Sequence, residues 1–422
     1  MKPIVWFALC AAMCAAQDIS GSWEISVVRF GETDIHRMTL QVSGGKLTGT
    51  ADDLKLEGTR KGGTVEFEAR LPDGRPLGTF SGTVQGAAMS GTALWFGKDK
   101  IQWKAERVAV RPAGGPKLHD FQPVEFHRYF SGSIPPVLHI FPGDTVHTWT
   151  VDAGGADSNG VHRSQGGNPE TGPFYVEGAL PGDTLVVKLV RLRLNRDTAG
   201  SGDSVAWNAL TPNYVHRVKY DDKFNSQWTL DRASGVARLS KPTEKLKNFS
   251  IPLAPMLGCI AVAPPGNQTF RSGYLGSFGG NMDYNQMREG TTLYLPVSQK
   301  GALLFVGDGH AAQGDGESTG DALETSMDVE FSVDLIPGKS TGMPRAENDG
   351  YLMAMGIAGS LDEAFRIATT QLAQWLERDY KLNANEASMI LGFAVHYDVG
   401  EVVDPQYNVV ARVPKTVLAR MK

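Results

Sequence analysis

The densest group of side chains able to do chemistry is the stretch Gly307-Asp-Gly-His-Ala-Ala-Gln-Gly-Asp-Gly-Glu317. Its eleven residues include four glycines, two aspartates, one histidine and one glutamate. Carboxylates beside an imidazole serve either as ligands to a divalent metal or as proton donors and acceptors. Glycines between them permit positive φ and close backbone approach. The alternative is a tight polar loop whose acids only cap backbone N–H groups. The stretch follows a wholly apolar run, Ala302-Leu-Leu-Phe-Val306, which reads as a buried strand. A site is therefore expected where this strand breaks.

The elements that position such a site are mostly strands. Among 422 residues there are 49 glycines and 23 prolines, which suits turn-rich β structure better than a helical bundle. A charged content of 21% and a net charge of -5 describe an ordinary globular chain and give no basic surface for nucleic acid. Residues 1–16 read as a secretory signal: Lys2, an apolar run over 4–12, then Cys14-Ala15-Ala16. A secreted or periplasmic protein is expected, with no membrane span. Two of the three cysteines leave with that segment, so Cys259 stays alone and forms no intrachain disulfide.

Residues 17–110 hold short alternating segments at 23–29, 38–42, 64–69, 79–84, 93–96 and 101–109, separated by Gly-rich turns. They predict a small antiparallel barrel or sandwich. Residues 111–117 contain Arg111-Pro-Ala-Gly-Gly-Pro116 and read as a linker. From 118 to 422 a second β region is expected, with strands near 137–140, 145–151, 184–194, 261–263, 291–296, 302–307 and 327–335. Pro142-Gly-Asp144 and Pro181-Gly-Asp183 introduce two of them, either as an internal repeat or simply as a good turn. A C-terminal helical pair follows. Ser360-Leu-Asp-Glu363 reads as a capping box and Asn383-Ala-Asn-Glu386 as a second helix start.

Five segments occur in an order that resembles the acetamidase/formamidase family: the stretch from Thr171 through Pro173, Phe174 and Glu177 to Asp183; Pro252-Leu-Ala-Pro-Met-Leu-Gly258; Gly279-Gly-Asn-Met-Asp283; Gly290-Thr-Thr-Leu-Tyr-Leu-Pro296; and Gly307–Glu317. The resemblance covers about residues 118–414. It implies a mainly β fold, hydrolysis of short linear amides such as formamide or acetamide to ammonia and a carboxylate, and a divalent metal. The signal segment and residues 17–110 depart from the usual family member, as does cysteine at position 259.

Amide hydrolysis needs an activated water, a proton for the leaving amine and a group that stabilises the tetrahedral oxyanion. The expected metal ligands are Asp283, Asp308 and His310, with Glu317 and Asp315 in reserve. Asp308 and His310 are also expected in the catalytic set, with Glu177 as general base. Oxygen-rich ligands with one imidazole suit Zn, Mn or Ca; Zn ranks first for hydrolysis and Ca second as a structural ion. Asp152 and His162 flank or lie in a Gly-rich loop over 154–167 that reads as a lid or as plain surface. His127, His139, His147, His216 and His396 have no paired ligand spacing and read as structural. Cys259 sits in an apolar run and reads as a buried, inert thiol. Gly316-Glu-Ser-Thr-Gly320 has Gly-x-Ser-x-Gly spacing but is not read as a strand-to-helix nucleophile elbow, and neither a dinucleotide fingerprint nor EF-hand spacing occurs. The expected partner is a small-molecule amide, acted on by a homo-oligomer. A secreted sugar- or small-molecule-binding protein on the same scaffold is the second reading.

Overall fold

The computed structural model describes residues 18–421. The expected signal segment, with Cys10 and Cys14, lies outside the described residues. Two compact units divide the chain, the first ending at Val110 and the second beginning at Arg111.

In the first unit eight strands form a closed antiparallel barrel, from Gly21–Arg29 to Asp99–Arg107, and the first pairs with the last. The barrel alternative therefore holds over the sandwich. Trp23, Leu40, Phe67, Phe80 and Trp103 fill the interior, with Phe67 and Phe80 stacked at a centroid distance of 4.9 Å. Two strands escaped the sequence reading, Lys46–Ala51 and Leu54–Lys61. They carry Gly49 and Gly58, where a Cβ would lie under 3.0 Å from the Thr39 and Glu66 carbonyl oxygens across the ladder. Glycine here allows close strand approach; in the sequence it looks like a break.

The second unit is built on two sheets that share one apolar core. The six-stranded sheet runs in the order Leu138–Ile140, Thr171–Val176, Leu304–His310, Met256–Ala261, Gly279–Asn281, Leu275–Gly276. The nine-stranded sheet is centred on Thr292–Pro296, Thr184–Leu194 and Met327–Ile336. Alternate residues of these strands, such as Leu185, Val187, Leu293, Leu295, Val329 and Phe331, are buried. They face Phe174, Ile260 and Val306 of the other sheet within that core, while Phe305 packs on Phe130. Mainly β structure is thus as expected.

The C-terminal helical pair is also present. Ser360 caps Leu361–Tyr380 by accepting from Glu363 N–H, so only the serine half of that box forms. Asn383 and Glu386 form the complete box at the start of Ala384–Phe393. The first helix buries Ala364, Ala368, Leu372, Trp375 and Leu376 against the strands Tyr351–Ala358 and Tyr407–Pro414. No helix among the described residues is long and apolar enough to cross a membrane.

The two Pro-Gly-Asp turns share one device. Asp144 accepts from Phe141 N–H and Asp183 from Leu180 N–H, each at 2.9 Å. Asp144 is 1% exposed and also takes Arg111 at 2.6 Å, His119 at 2.9 Å and Lys117 N–H at 2.8 Å. Burial opposes its charge, but these donors outweigh burial and hold the carboxyl well below the usual range. A depressed carboxyl contributes stability above its unfolded value and loses it as the pH falls toward the folded one. We therefore expect Asp144→Asn to destabilise the second unit by about 3 kcal/mol at neutral pH. In urea titrations the gap to the native chain should narrow below about pH 4. A gap that does not change with pH rules out the ionised carboxylate as its source.

Candidate active site

The strand Leu304–His310 is buried along its whole length. The expected break at Gly307 does not occur. The ladder with Met256–Ala261 continues through Cys259↔Gly307, Leu257↔Gly309 and Met256↔His310. Only the Gly258–Asp308 step is distorted, where Asp308 takes φ of 54°. Asp308 and His310 therefore project from a strand, which holds them more firmly than a loop would.

Four expected residues converge. His310 Nε2 lies 3.2 Å from Asp308 Oδ2 and 3.9 Å from Asp283 Oδ1. One ligand atom from each of Asp283, His310 and Glu317 falls within 4.8 Å of the others. Asp308, His310 and Glu324 make a second such group, with Glu324 Oε1 at 3.1 Å from Nε2. Gly258 makes the convergence possible, because a Cβ there would lie under 3.0 Å from Asp283 Oδ1, Asp308 Oδ2 and His310 Cε1.

Two expectations need correction. Glu177 does not join the cluster; it pairs with His139 Nδ1 at 2.7 Å, beyond the far end of the strand Thr171–Val176. The acid that does approach is Glu170, just before the other end of the same strand, 0% exposed and beside the Cys259 thiol. A seven-residue separation along an extended strand puts the two acids roughly 23 Å apart. Asp315 is also outside: it is exposed and accepts from Asn285 Nδ2 at 2.6 Å.

Polar residues that the sequence did not mark complete the surroundings. Gln313 Nε2 donates to the carbonyls of Asp283 at 2.5 Å and Gly400 at 3.3 Å. That orientation leaves Gln313 Oε1 to accept from His310 Nδ1 at 3.0 Å. Nδ1 then carries its hydrogen, and Nε2 is the atom turned to the carboxylates, the usual arrangement behind a ligating imidazole. Asn281 Nδ2 bridges Asp283 at 2.6 Å and Asp404 at 2.7 Å, while its oxygen accepts from Asn168 at 2.9 Å. Asn281 and Gln313 stood inside recognised motifs without being singled out; Glu324 and Asp404 had no local signal. Backbone strain also marks the site. Asn168, Asp283, Asp308 and Glu317 have φ of 51°, 40°, 54° and 45°. Such conformations cost about 1–3 kcal/mol each and persist where surrounding structure enforces them.

Asn168, Arg271, Asn281, Asp308, Glu317, Glu324 and Asp404 line a cavity of about 270 Å³. Gly167 and Ala153, at the edges of the Gly-rich loop, also touch it. Asp152 and His162 do not line it. Asp152 is paired with Arg196 at 2.5 Å, and His162 is exposed with Nδ1 3.1 Å from the Gly154 carbonyl.

Electrostatics define what the cluster can do. Burial is the first cause that raises Asp283, Glu317 and Glu170 well above the usual carboxyl range; neighbouring carboxylates add to it, Glu317 and Asp308 in the case of Asp283. Burial likewise pushes Glu324 and Asp404 up to about 7. For His310 burial opposes the charge, yet Glu324 and Asp308 outweigh it and hold the imidazole well above its ordinary value. Burial, then Glu170 and Asp308, raise the Cys259 thiol, so it stays neutral and is no nucleophile. One imidazolium cannot neutralise this many buried acids, so the cluster binds either protons or a cation. Asp283 Oδ1, Asp308 Oδ1, Glu324 Oε2 and His310 Nε2 are buried without hydrogen-bond partners. A donor set of buried, unpaired carboxylate oxygens with one imidazole nitrogen fits a divalent cation.

Residues 276–419 match the model of the acetamidase/formamidase family, a span that includes Asp283, Asp308, His310, Glu317, Glu324 and Asp404. The solved acetamidase from Yersinia enterocolitica is 30% identical, with a TM-score of 0.62, over 73% of this chain and 95% of that one. The chain belongs to the acetamidase/formamidase family. A second solved structure, an acetamidase from Bacillus halodurans, is 26% identical with a TM-score of 0.59, covering 71% of this chain and 99% of that one. A formamidase from Methylophilus methylotrophus is 24% identical over 268 residues, or 50% of this chain. The chain spans 64% of the length of that curated relative. Within the acetamidase/formamidase frame, Glu170 and Asn168 fall outside the matched segment, so their place in the site rests on the geometry above.

Proposed function

We propose that this chain hydrolyses the C–N bond of small linear amides, of the formamide and acetamide type, releasing ammonia and a carboxylate. The observation that carries the reading is the convergence of Asp283, Asp308, Glu317 and Glu324 on His310 Nε2, with unpaired buried oxygens, at a cavity of about 270 Å³. That volume is at the small end of ligand pockets and suits a substrate of a few heavy atoms. Asp283, His310 and Glu317, or Asp308, His310 and Glu324, would hold a divalent cation, for which Zn ranks first and Ca second. When bound, the cation supplies Lewis acidity. Asp404, in neither ligand group and pushed by burial up to about 7, is suited to take a proton from water and return it to the leaving amine. Asn168, held by Asn281, offers its amide at the cavity wall for orienting the substrate.

The test is ammonia release from formamide, acetamide and propionamide by the purified protein, before and after chelation. We expect turnover of at least one amide, loss of it on chelation, and recovery when zinc is restored. Undiminished turnover in protein shown to be metal-free removes the metal from the reading. No turnover with any of the three favours the binding-protein reading.

A further inference from the structure

A second cavity, of about 410 Å³, lies between the nine-stranded sheet and the helix Leu361–Tyr380. It shares no lining residue with the acidic cavity. Arg345 stands in its wall, on the short strand Arg345–Glu347, between Tyr294 and Ala354 of the neighbouring strands. It is 3% exposed, and its Nε and Nη1 have no hydrogen-bond partner. The Trp375 ring covers the guanidinium face at 5.1 Å, which leaves the edge donors unused. Nearby carboxylates are engaged elsewhere. Glu347 takes Lys415 Nζ at 2.6 Å and the Tyr294 hydroxyl at 2.5 Å, and Asp379 takes Arg378 at 2.8 Å. Among the described residues none makes a hydrogen bond or close ion pair with Arg345, and Asp379 acts on it only through its field.

A buried cation without a hydrogen-bonded partner is costly, and here burial pushes the guanidinium down to about 10, with Arg378 adding to it and the Asp379 carboxylate only partly offsetting it. The Thr341 hydroxyl on the same wall is also buried without a partner. Arg378 and Lys339 bring two further cations to the rim. A planar edge with free donors, a free hydroxyl and flanking cations is the arrangement that receives an oxyanion. Trp375, Tyr294 and Leu352 add apolar wall on which a compact body attached to that anion can rest.

We propose that this cavity is a binding site for a small oxyanion, a carboxylate or phosphate group, with Arg345 as its central donor and Thr341, Arg378 and Lys339 around it. The site is independent of the amidase reading, since no acid of the His310 cluster takes part.

The experiment is thermal unfolding of the full chain in sodium phosphate or sodium benzoate, against sodium chloride at matched ionic strength. A ligand that binds only the folded state raises the midpoint in a saturable way. We expect that rise with at least one of the two probes, and which one it is separates a phosphate from a carboxylate site. The same rise in His310→Ala places the binding away from the acidic cluster. Arg345→Met should lose the response while its midpoint in chloride is equal to or above that of the native chain, because an unpaired buried cation has been removed. Arg378→Ala, a change at an exposed position, should weaken the apparent affinity about tenfold or more. Absence of a saturable rise in the native chain, or an equal rise in Arg345→Met, overturns the proposal. If Arg345→Met does not fold, unchanged affinity in both Arg378→Ala and Thr341→Val overturns it instead.

Discussion

Replacing His310 by alanine should lower amide turnover by about 10³-fold, within the range spanned by loss of a group acting on the reacting atoms. The reason is its position. Nε2 is the atom common to both candidate ligand groups, at 3.1 Å from Glu324 and 3.2 Å from Asp308. Without it the cluster keeps its carboxylates and loses their one cationic neighbour, so metal content should fall together with activity. Circular dichroism should stay that of the native chain, because the strand Leu304–His310 keeps its ladder. Gln313→Ala provides the matching control. Gln313 orients the imidazole and also holds the Asp283 and Gly400 carbonyls, so its loss should cost less than that of His310 and add little in the double variant. Turnover in His310→Ala within about tenfold of the native level would take the residue out of the reaction.

Gly258→Ala should be nearly as damaging, although it adds a single methyl group. That carbon would lie under 3.0 Å from two carboxylate oxygens and one imidazole carbon, all of which belong to the cluster. They must move apart, and a displacement on the order of 1 Å in such a site costs about 10²-fold in rate. Overpacking adds about 1–3 kcal/mol of destabilisation. The ladder on both sides, Leu257↔Gly309 and Cys259↔Gly307, limits how far the backbone can yield. Gly392→Ala is the comparison. It lies in the helix Ala384–Phe393, has open space around it and should stabilise by about 0.5 kcal/mol with no change in turnover. Equal activity in Gly258→Ala and the native chain would mean that the carboxylates need not meet at His310.

Much of this was legible in the amino-acid order. Glycine-separated alternation indicated β structure, and Ala302–Val306 indicated a buried strand, because these signals depend on neighbours two to five residues away. Asp283, Asp308, His310 and Glu317 stood out for the same reason: each sits beside glycines in a motif that the family shares. The helix starts at Ser360 and Asn383 were readable because a cap is a contact between residues three apart.

Tertiary structure decided the rest. Glu170 and Glu177 look alike in the sequence, and only the packing of the strand Thr171–Val176 beside Leu304–His310 brings Glu170 to the cluster and leaves Glu177 with His139. Glu324 and Asp404 come from turns and strand ends whose approach to the cluster is fixed by ladders and side-chain contacts distant in the chain. Asp315 lies two residues from Glu317, yet the turn between them sends one side chain outward and buries the other. Local chemistry is encoded by local residue types, whereas the pairing of acids in space follows from strand order and register, which depend on the burial of the whole core.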